Sequence, residues 1–206
     1  MTSSASHEHS PLFDHAHFPA DRARRLNDPG RLERHVSEQD LLRLLALRGD
    51  EDVADLGSGT GFYTDIVARR TTGTVYAVDL APQMHDAYRQ KGVPANVRLM
   101  EADIRAVPLP AESIDVAYSI ATLHEIKGDL GLVHLLPALR SPGRVVIVDF
   151  RVEAATFEGG PPVSHRISNE RAAAIFLPHF EHVTVEDVGE MMFALVASGT
   201  RAVPLP

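Results

Sequence analysis

The stretch Val53-Ala-Asp-Leu-Gly-Ser-Gly-Thr-Gly61 carries the clearest structural signal in the sequence. A short apolar run leads into three glycines at alternate positions, and a helical pattern begins directly after them. Glycines at such a turn let the backbone bend sharply and approach a ligand closely. The helix start beyond them presents unpaired N–H groups that favour negative charge. The stretch therefore predicts a nucleotide-type cofactor site at the carboxyl end of a parallel strand.

Two classes of cofactor compete for this glycine loop. A dinucleotide loop has the pattern Gly-x-Gly-x-x-Gly, whereas the third glycine here comes one residue earlier, at Gly61. Asp55 precedes the first glycine by two residues, and a carboxylate there would repel a pyrophosphate but attract an ammonium group. S-adenosylmethionine (SAM) carries an ammonium, a carboxylate and a sulfonium, and no phosphate. Asp55 therefore favours SAM over a dinucleotide such as NAD.

Acidic residues also end the next two predicted strands. Asp79 follows Val78, where a carboxylate can accept both hydroxyls of a ribose in either an NAD or a SAM site. Asp103 follows the third strand and could bind an adenine amino group, with Ile104 covering the ring. Three acids at successive strand ends are more specific for such a site than any one of them.

Strands and helices alternate through most of the chain. The predicted strands are Asp52–Leu56, Thr74–Asp79, Val97–Glu101, Ile114–Ser119 and Arg144–Phe150. The predicted helices are Gly61–Arg70, Pro82–Lys91 and Asp129–Leu139, and Asp28-Pro29, Ser37 and Ser168 start three more. The segments His182–Val188 and Met191–Ala197 are predicted to be two strands joined by a tight turn. This alternation predicts an α/β fold with a parallel sheet and right-handed crossovers.

The composition excludes several functional classes. The 206 residues, 44% hydrophobic and 23% charged, suit one folded domain. The sequence has no cysteine, which excludes disulfides, thiolate metal sites and cysteine nucleophiles. A formal net charge of −8 argues against nucleic acid as a partner. Without a long apolar run or a secretory signal, we expect no membrane span and a cytoplasmic location.

The first 28 residues differ from the rest of the chain because they are rich in histidine. We interpret residues 1–28 as a mobile arm or a lid, and residues 29–206 as a domain that includes the N-terminal helices. A metal-sensing arm is the alternative, since His-x-His pairs can bind zinc or copper. The histidines are His7, His9, His15 and His17.

A group of arginines begins within this arm and continues just beyond it. Because the net charge of the protein is negative, we interpret the group as a solvated helical face rather than a nucleic-acid site. Its members are Arg22, Arg24, Arg25, Arg31 and Arg34.

The ordered motifs resemble those of the class I SAM-dependent methyltransferases. They are Asp55–Gly61, Val78-Asp79, Ala102-Asp103-Ile104, Ile114–Ser119 and Ser141–Asp149, and the resemblance extends from about Leu41 to Ala197. It implies a Rossmann-like, doubly wound seven-stranded sheet of order 3-2-1-4-5-7-6, with the last-numbered strand antiparallel. It also implies that the cofactor is bound by Asp55, Gly57, Ser58, Gly59, Gly61, Asp79, Leu80, Asp103, Ile104 and Ser119.

The resemblance also assigns a place to each of these side chains. Asp55 is expected near the amino group of SAM and Asp79 at the ribose. Asp103 and Ile104 are expected at the adenine, and Ser119, just past the fourth strand, beside the methionine end.

Two short segments are similar to the ubiquinone/menaquinone-methyltransferase-like, type 11 branch, which acts on small molecules. They are Leu123–Ile126 and Gly160–Ile167. His124 and Glu125 follow the fourth strand on the side where the methyl group should point, so either could accept a proton from a hydroxyl or amine. Alternatively, His124 lines the pocket and Glu125 caps a helix. Arg166 could hold an acidic substrate or lie on the surface.

The sequence therefore predicts an enzyme that transfers a methyl group from SAM to a small-molecule O, N, S or C nucleophile, as a monomer or homodimer. Two alternatives stay open. One is an NAD-dependent oxidoreductase on the same kind of sheet, and the other is a non-catalytic SAM-binding or metal-sensing protein.

Overall fold

A computed structural model describes residues 25–126, 131–157 and 160–201 of the chain. Its centre is a sheet of seven strands in the order β3-β2-β1-β4-β5-β7-β6. Strands β1 to β5 pair in parallel, and β7 runs antiparallel to β5 and β6. The predicted Rossmann-like sheet, its strand order and its antiparallel last strand are confirmed. The strands are β1 (Val53–Leu56), β2 (Val75–Asp79), β3 (Val97–Glu101), β4 (Ile114–Ile120), β5 (Leu139–Phe150), β6 (Phe180–Val188) and β7 (Met192–Thr200).

Helices cover both faces of this sheet. They are α1 (Arg31–Arg34), α2 (Glu38–Leu45), α3 (Phe62–Ala68), α4 (Pro82–Lys91), α5 (Leu132–Leu135) and α6 (Asn169–Phe176). Short 3₁₀ turns occupy Ile104–Ala106, Leu123–Glu125, Leu136–Ala138 and Val163–His165. Within the described residues, no helix combines the length and apolar character that crossing a membrane would require.

Alternate residues of the central strands enter two separate cores. In β5, Val146 and Val148 pack with α2, α3 and α4, whereas Val145 and Ile147 pack with α5 and α6. Successive side chains of a strand point to opposite faces, so an unbroken apolar run is what a strand covered on both sides requires. All four of these residues are fully buried.

Side-chain caps start two of the helices where the sequence predicts them. Ser37 Oγ accepts from the backbone N–H of Asp40 at 3.0 Å and donates to Asp40 Oδ2 at 2.7 Å. Ser168 Oγ accepts from the backbone N–H of Arg171 at 3.3 Å. Both capping predictions are confirmed, and each cap satisfies an N–H group that the first helical turn leaves unpaired.

The predicted helix Asp129–Leu139 is wrong over the residues that the structure describes. Helix α5 covers only Leu132–Leu135, and a 3₁₀ turn follows at Leu136–Ala138. Pro137 lies inside that turn, where it has no N–H to donate and interrupts the helix. Strand β5 consequently begins at Leu139, five residues before the predicted start at Arg144.

Two other helix boundaries also differ from prediction. Helix α1 begins at Arg31 with Gly30 as its N-cap, although Asp28 was predicted to cap it. Asp28 Oδ1 instead accepts from the backbone N–H of Gly30 at 3.0 Å, so it stabilises the turn before the helix. The helical spacing of the leucines from Leu41 to Leu47 predicts that α2 ends at Gly49. The helix instead ends at Leu45, and Ala46 adopts the left-handed conformation there.

Residues 1–24, which hold the four histidines of the N-terminal segment, lie outside the described residues, as do residues 127–130 and 158–159. The interpretation of the segment as an arm, a lid or a metal sensor therefore stays a prediction. The part of it that is described, from Arg25 onward, contacts the glycine loop: Thr60 Oγ1 donates to Asn27 Oδ1 at 2.9 Å.

Candidate functional site

The carboxyl ends of β1 and β2 hold the glycine loop in place. The backbone N–H groups of Gly57 and Ser58 both donate to Val78 O, at 2.8 and 2.9 Å. Gly57 and Gly61 have φ of +84° and +75°, a region that side chains rarely adopt. A Cβ on Gly61 would lie 2.1 Å from the ring of Tyr88. Both conformation and space therefore require glycine there.

Asp55 lies at the base of this loop, with 3% of its surface exposed. Its Oδ2 accepts from Thr64 Oγ1 at 2.6 Å and from Tyr118 Oη at 2.7 Å. Burial raises the pKa of Asp55 to about 6, although these two hydrogen bonds favour the ionised form. A cation bound beside this carboxyl would ionise it and recover the cost of burying the charge. Asp55 is thus suited to bind a positively charged group.

Asp79 joins the glycine loop to the start of α4. Its Oδ2 accepts from the backbone N–H of Gly59 at 2.8 Å, and its Oδ1 accepts from that of Ala81 at 2.9 Å. An ionised carboxylate has about four acceptor positions, so each oxygen can accept a further hydrogen bond. Leu80 beside it is 44% exposed and offers an apolar surface.

Asp103 has a neighbour that the sequence reasoning missed. The carboxylate caps the 3₁₀ turn at Ile104–Ala106, and Arg105 Nε donates to both of its oxygens at 3.0 Å. Ile104 itself is buried. A ligand amino group at Asp103 would therefore share the carboxylate with a guanidinium.

Two serines of the predicted site are also buried. Strand β4 extends to Ile120, so Ser119 lies inside the strand, where its hydroxyl donates to Leu56 O at 2.8 Å. The prediction that Ser119 lies just past the strand needs this correction, since its hydroxyl ties β4 to β1. Ser58 Oγ is buried and has no hydrogen-bond partner among the described residues.

Arg31 is a buried residue of this site, which corrects its predicted place on a solvated face. Only 8% of it is exposed. Its guanidinium carbon lies 5.4 and 5.0 Å from the ring centroids of Phe62 and Tyr63, and one nitrogen donates to Leu26 O at 2.8 Å. Burial lowers the pKa of Arg31. No carboxylate in the described part of the chain forms an ion pair with it, so it suits an anionic ligand group.

The aromatic residues next to the loop are the sequence signal that could have located Arg31. Phe62 and Tyr63 directly follow Gly61, and flat rings attract a guanidinium. Arg34, by contrast, lies exposed and pairs with Asp28, as expected for a solvated face. Arg22 and Arg24 lie outside the described residues.

The 3₁₀ turn Leu123–Glu125 places His124 beside an acid that sequence reasoning missed. His124 Nδ1 lies 2.7 Å from Asp149 Oδ1, and the backbone N–H of His124 donates to Asp149 Oδ2 at 3.2 Å. Asp149 lies near the end of β5, with 1% of its surface exposed. Glu125 Oε1 lies 4.0 Å from His124 Nε2. An acid near a strand end is the signal that identified Asp55 and Asp79, and it could have identified Asp149.

Aromatic rings surround this histidine. Phe150 makes edge contacts with His124 and with His35, at centroid distances of 5.4 and 5.2 Å, and Phe157 lies 5.7 Å from Phe150. Burial, followed by the charge of Arg31, lowers the pKa of His35 to about 4, so this ring is neutral at pH 7.

Arg166 has neither of the predicted roles. It is buried, and its guanidinium donates to the carbonyl oxygens of Ala154 and Pro161. These contacts tie together the segment that follows β5.

The residues around the glycine loop fit SAM as a cofactor. A buried carboxyl faces the loop for an ammonium group, Arg31 lies nearby for a carboxylate, and Asp79 can accept ribose hydroxyls. Ser58 Oγ is a buried polar atom that a bound ligand could satisfy. The fold is that of a Rossmann-like protein, and this donor set suits a cationic nucleoside without a phosphate group.

Comparisons with known proteins agree with this class. Residues 54–150 match the sequence profile of a family described as Methyltransferase domain. A malonyl-[acyl-carrier protein] O-methyltransferase from Halorhodospira halophila is 34% identical over 148 residues, which cover 70% of this chain and 48% of that protein. A ubiquinone/menaquinone biosynthesis C-methyltransferase from Idiomarina loihiensis is 31% identical over 105 residues, which cover 48% of this chain and 42% of that protein.

A solved structure is similar over nearly its whole length. The crystal structure of a SAM-dependent methyltransferase from Aquifex aeolicus has a TM-score of 0.75 and 25% identity, covering 88% of this chain and 98% of that one. In motif order, sheet topology and sequence, the chain is similar to the class I SAM-dependent methyltransferases. It spans about half the length of the curated relatives that it matches.

Proposed function

We propose that the protein transfers a methyl group from SAM to a small-molecule acceptor. The observation that carries this proposal is Asp55, a carboxyl buried at the glycine loop whose pKa is raised to about 6. A phosphate group would be repelled by this residue, whereas the ammonium group of SAM would stabilise it.

In this proposal, the glycine loop and the three strand-end acids bind the cofactor. Asp55 binds the amino group, Asp79 accepts the ribose hydroxyls, and Asp103 contacts the adenine with Ile104. Arg31 binds the carboxylate of the methionine part, and Leu80 covers the adenine. SAM supplies a methyl group that is already activated on a sulfonium. Much of the remaining catalysis can come from positioning the acceptor in line with it.

The acceptor is proposed to lie beyond the methionine end, beside His124. Thr122 lies against the glycine loop, because a Cβ on Gly57 would be 2.4 Å from Thr122 Oγ1. The turn with His124 and Glu125 begins at the next residue. Phe150, Phe157 and neutral His35 make the surroundings largely apolar, which supports a small organic acceptor.

The two alternatives have weaker support. An NAD-dependent oxidoreductase would need a pyrophosphate next to Asp55, and the relatives reported above are methyltransferases. For a metal sensor, the described residues contain no group of three candidate ligands, and the histidine-rich segment lies outside them. The cytoplasmic location, the oligomeric state and the assignment to the ubiquinone/menaquinone-like branch stay predictions.

Transfer of a labelled methyl group from SAM to a panel of phenols, quinols, thiols, amines and carboxylic acids tests the proposal. We expect one chemical class to accept the label and the Asp55→Ala variant to lose this activity. Labelling of none of them, together with tight SAM binding, would favour the non-catalytic alternative. Binding of NAD in place of SAM would favour an oxidoreductase.

A further inference from the structure

We propose that Asp149 is a positioning residue that fixes His124 as the proton acceptor for an acceptor molecule with an ionisable X–H group. This inference rests on the proposed methyl transfer and adds to it a residue and a substrate class.

Asp149 is almost fully buried near the end of β5. Two backbone N–H groups and one imidazole nitrogen surround its carboxylate. The backbone N–H of Phe150 donates to Oδ1 at 2.7 Å, that of His124 donates to Oδ2, and His124 Nδ1 is at hydrogen-bond distance from Oδ1. No lysine or arginine among the described residues pairs with it. Its contacts are therefore directed at residue 124.

These contacts determine which nitrogen of the His124 imidazole carries the proton. An ionised carboxylate only accepts hydrogen bonds, so the proton of neutral His124 lies on Nδ1. The other nitrogen, Nε2, then carries the lone pair and can act as a base. Because the same carboxylate also holds the backbone N–H of His124, it fixes both the turn and the ring. Phe150 supports the ring from its side.

During methyl transfer, a positive charge appears on His124. As the acceptor atom bonds to the methyl carbon, its proton passes to Nε2, and the electron pair of the broken carbon–sulfur bond stays on sulfur. The imidazolium that forms lies next to Asp149, and an opposite charge at this distance stabilises it. Glu125, on the same turn, is a further acid near the ring among the described residues, and His35 is the neutral histidine across Phe150.

This arrangement predicts the kind of acceptor. A phenol, an alcohol or an amine needs a base when it is methylated, whereas a carboxylate does not. We therefore expect the acceptor to present a hydroxyl or amine to Nε2.

Nuclear magnetic resonance of protein labelled with ¹⁵N-histidine tests the positioning role without any acceptor. The His124→Gln variant assigns the His124 signals. We expect the Nδ1–H form in the wild-type protein at a pH where the ring is neutral. The Asp149→Asn variant keeps this form, since its amide oxygen still accepts, but titrates at lower pH because the charge is gone. The Asp149→Ala variant changes to the Nε2–H form, which neutral histidine prefers in water.

Asp86→Asn is the matched control, since it removes an exposed acid of α4 that pairs with Arg89. It should leave the His124 signals unchanged. An Nε2–H form in the wild-type protein, or signals that Asp149→Ala does not alter, would overturn the proposal.

A second arm links the geometry to catalysis. With the acceptor found in the labelling screen, we expect Asp149→Asn to reduce kcat at least tenfold, while the Kd for S-adenosylhomocysteine and the KM for the acceptor change little. Unchanged kcat would overturn the catalytic role even if the histidine form is as expected. If the protein labels no acceptor, the proposed methyl transfer is contradicted. The position of the His124 proton is still decided by the magnetic-resonance experiment, which uses no acceptor.

Discussion

Asp55 is the buried residue on which the proposed choice of SAM as cofactor depends. Its carboxyl accepts from Thr64 and Tyr118, yet burial still raises its pKa. The protein therefore binds a proton at Asp55 more tightly when folded than when unfolded. Between about pH 4 and pH 6, the free energy of unfolding falls as the pH rises. Above that range, the full cost of burying the ionised Asp55 carboxylate is present.

The Asp55→Asn variant tests this penalty. With a pKa of about 6 against the ordinary value of 3.8, the ligand-free variant should be up to ~3 kcal/mol more stable than wild type at pH 7.5, with no gain near pH 3.5. Its affinity for SAM should fall. Urea unfolding at both pH values and calorimetric titration measure the two effects. A variant that is less stable than wild type at pH 7.5 would contradict the account.

The Asp79→Ala variant tests the ribose contact. Loss of charged hydrogen bonds costs about 1.5–3 kcal/mol, so the Kd for S-adenosylhomocysteine should rise roughly 10- to 100-fold. Asp103→Ala should have a smaller effect, because Arg105 already occupies part of that carboxylate. Calorimetric titration of both variants gives the comparison. An unchanged Kd for Asp79→Ala would remove this residue from the ribose role.

Sequence patterns predict the positions of residues whose place is set by the strand that carries them. The positions of Asp55 and Asp79 could be predicted because each is the last or next-to-last residue of a strand beside the glycine loop. Local patterns could mark Arg31 and Asp149 as candidates but could not predict their partners, since their contacts join segments that are distant in sequence. Asp149 meets His124, 25 positions earlier, only once β4 and β5 are paired.

The glycine loop is the element on which the cofactor site depends. In the Gly61→Ala variant, the new Cβ would lie 2.1 Å from the Tyr88 ring, in addition to the cost of a positive φ. Left-handed backbone costs about 1–2 kcal/mol for a side chain and overpacking about 1–3 kcal/mol. We expect Gly61→Ala to lose at least ~2 kcal/mol of stability in urea unfolding.

Gly189→Ala is the matched control for this prediction. Gly189 has a φ of +59°, but nothing lies within 4 Å of the position of its Cβ. The Gly189→Ala variant should therefore lose only the stability that a side chain at a positive φ costs. Equal losses in the two variants would show that the ring of Tyr88 does not constrain the loop.

The accuracy of the predicted elements follows from how local their signals are. The starts of β1, β2 and β3 were predicted to within one residue, because turn residues and buried runs mark them. The helix before β5 was overpredicted because the apolar residues around Pro137 fit a helical period, although proline ends a helix. The start of β5 depends on pairing with β4, which no local pattern records.

For the whole molecule, two buried groups make opposite contributions to stability as the pH changes. The pKa of His35 is lowered to about 4, below its ordinary value of 6.5. Its contribution is therefore present above pH 6.5 and is lost as the pH falls toward 4. Asp55 acts in the reverse sense over nearly the same range, so its contribution partly offsets that of His35.

The His35→Phe variant separates these contributions. Phenylalanine keeps an aromatic ring beside Phe150 and cannot be protonated. The free energy of unfolding of the variant minus that of the wild type is measured at each pH. This difference should be about 2–3 kcal/mol larger at pH 4.5 than at pH 7.5. Unfolding curves at the two pH values measure this difference. An identical pH dependence in both proteins would show that His35 is not buried as a neutral ring.

The sheet order of the whole molecule was predicted correctly because the motifs occur in a fixed order along the chain. The acceptor could not be predicted, because the proposed acceptor site consists of residues that only the fold brings together: His35 before α2, His124 after β4 and Phe150 at the end of β5.

Calorimetric titration of the wild-type protein with S-adenosylhomocysteine and, separately, with NAD decides which cofactor the glycine loop binds. We expect binding of S-adenosylhomocysteine at one site with a micromolar Kd and no heat from NAD. Absence of binding by S-adenosylhomocysteine, or competition for its site by NAD, would contradict this expectation.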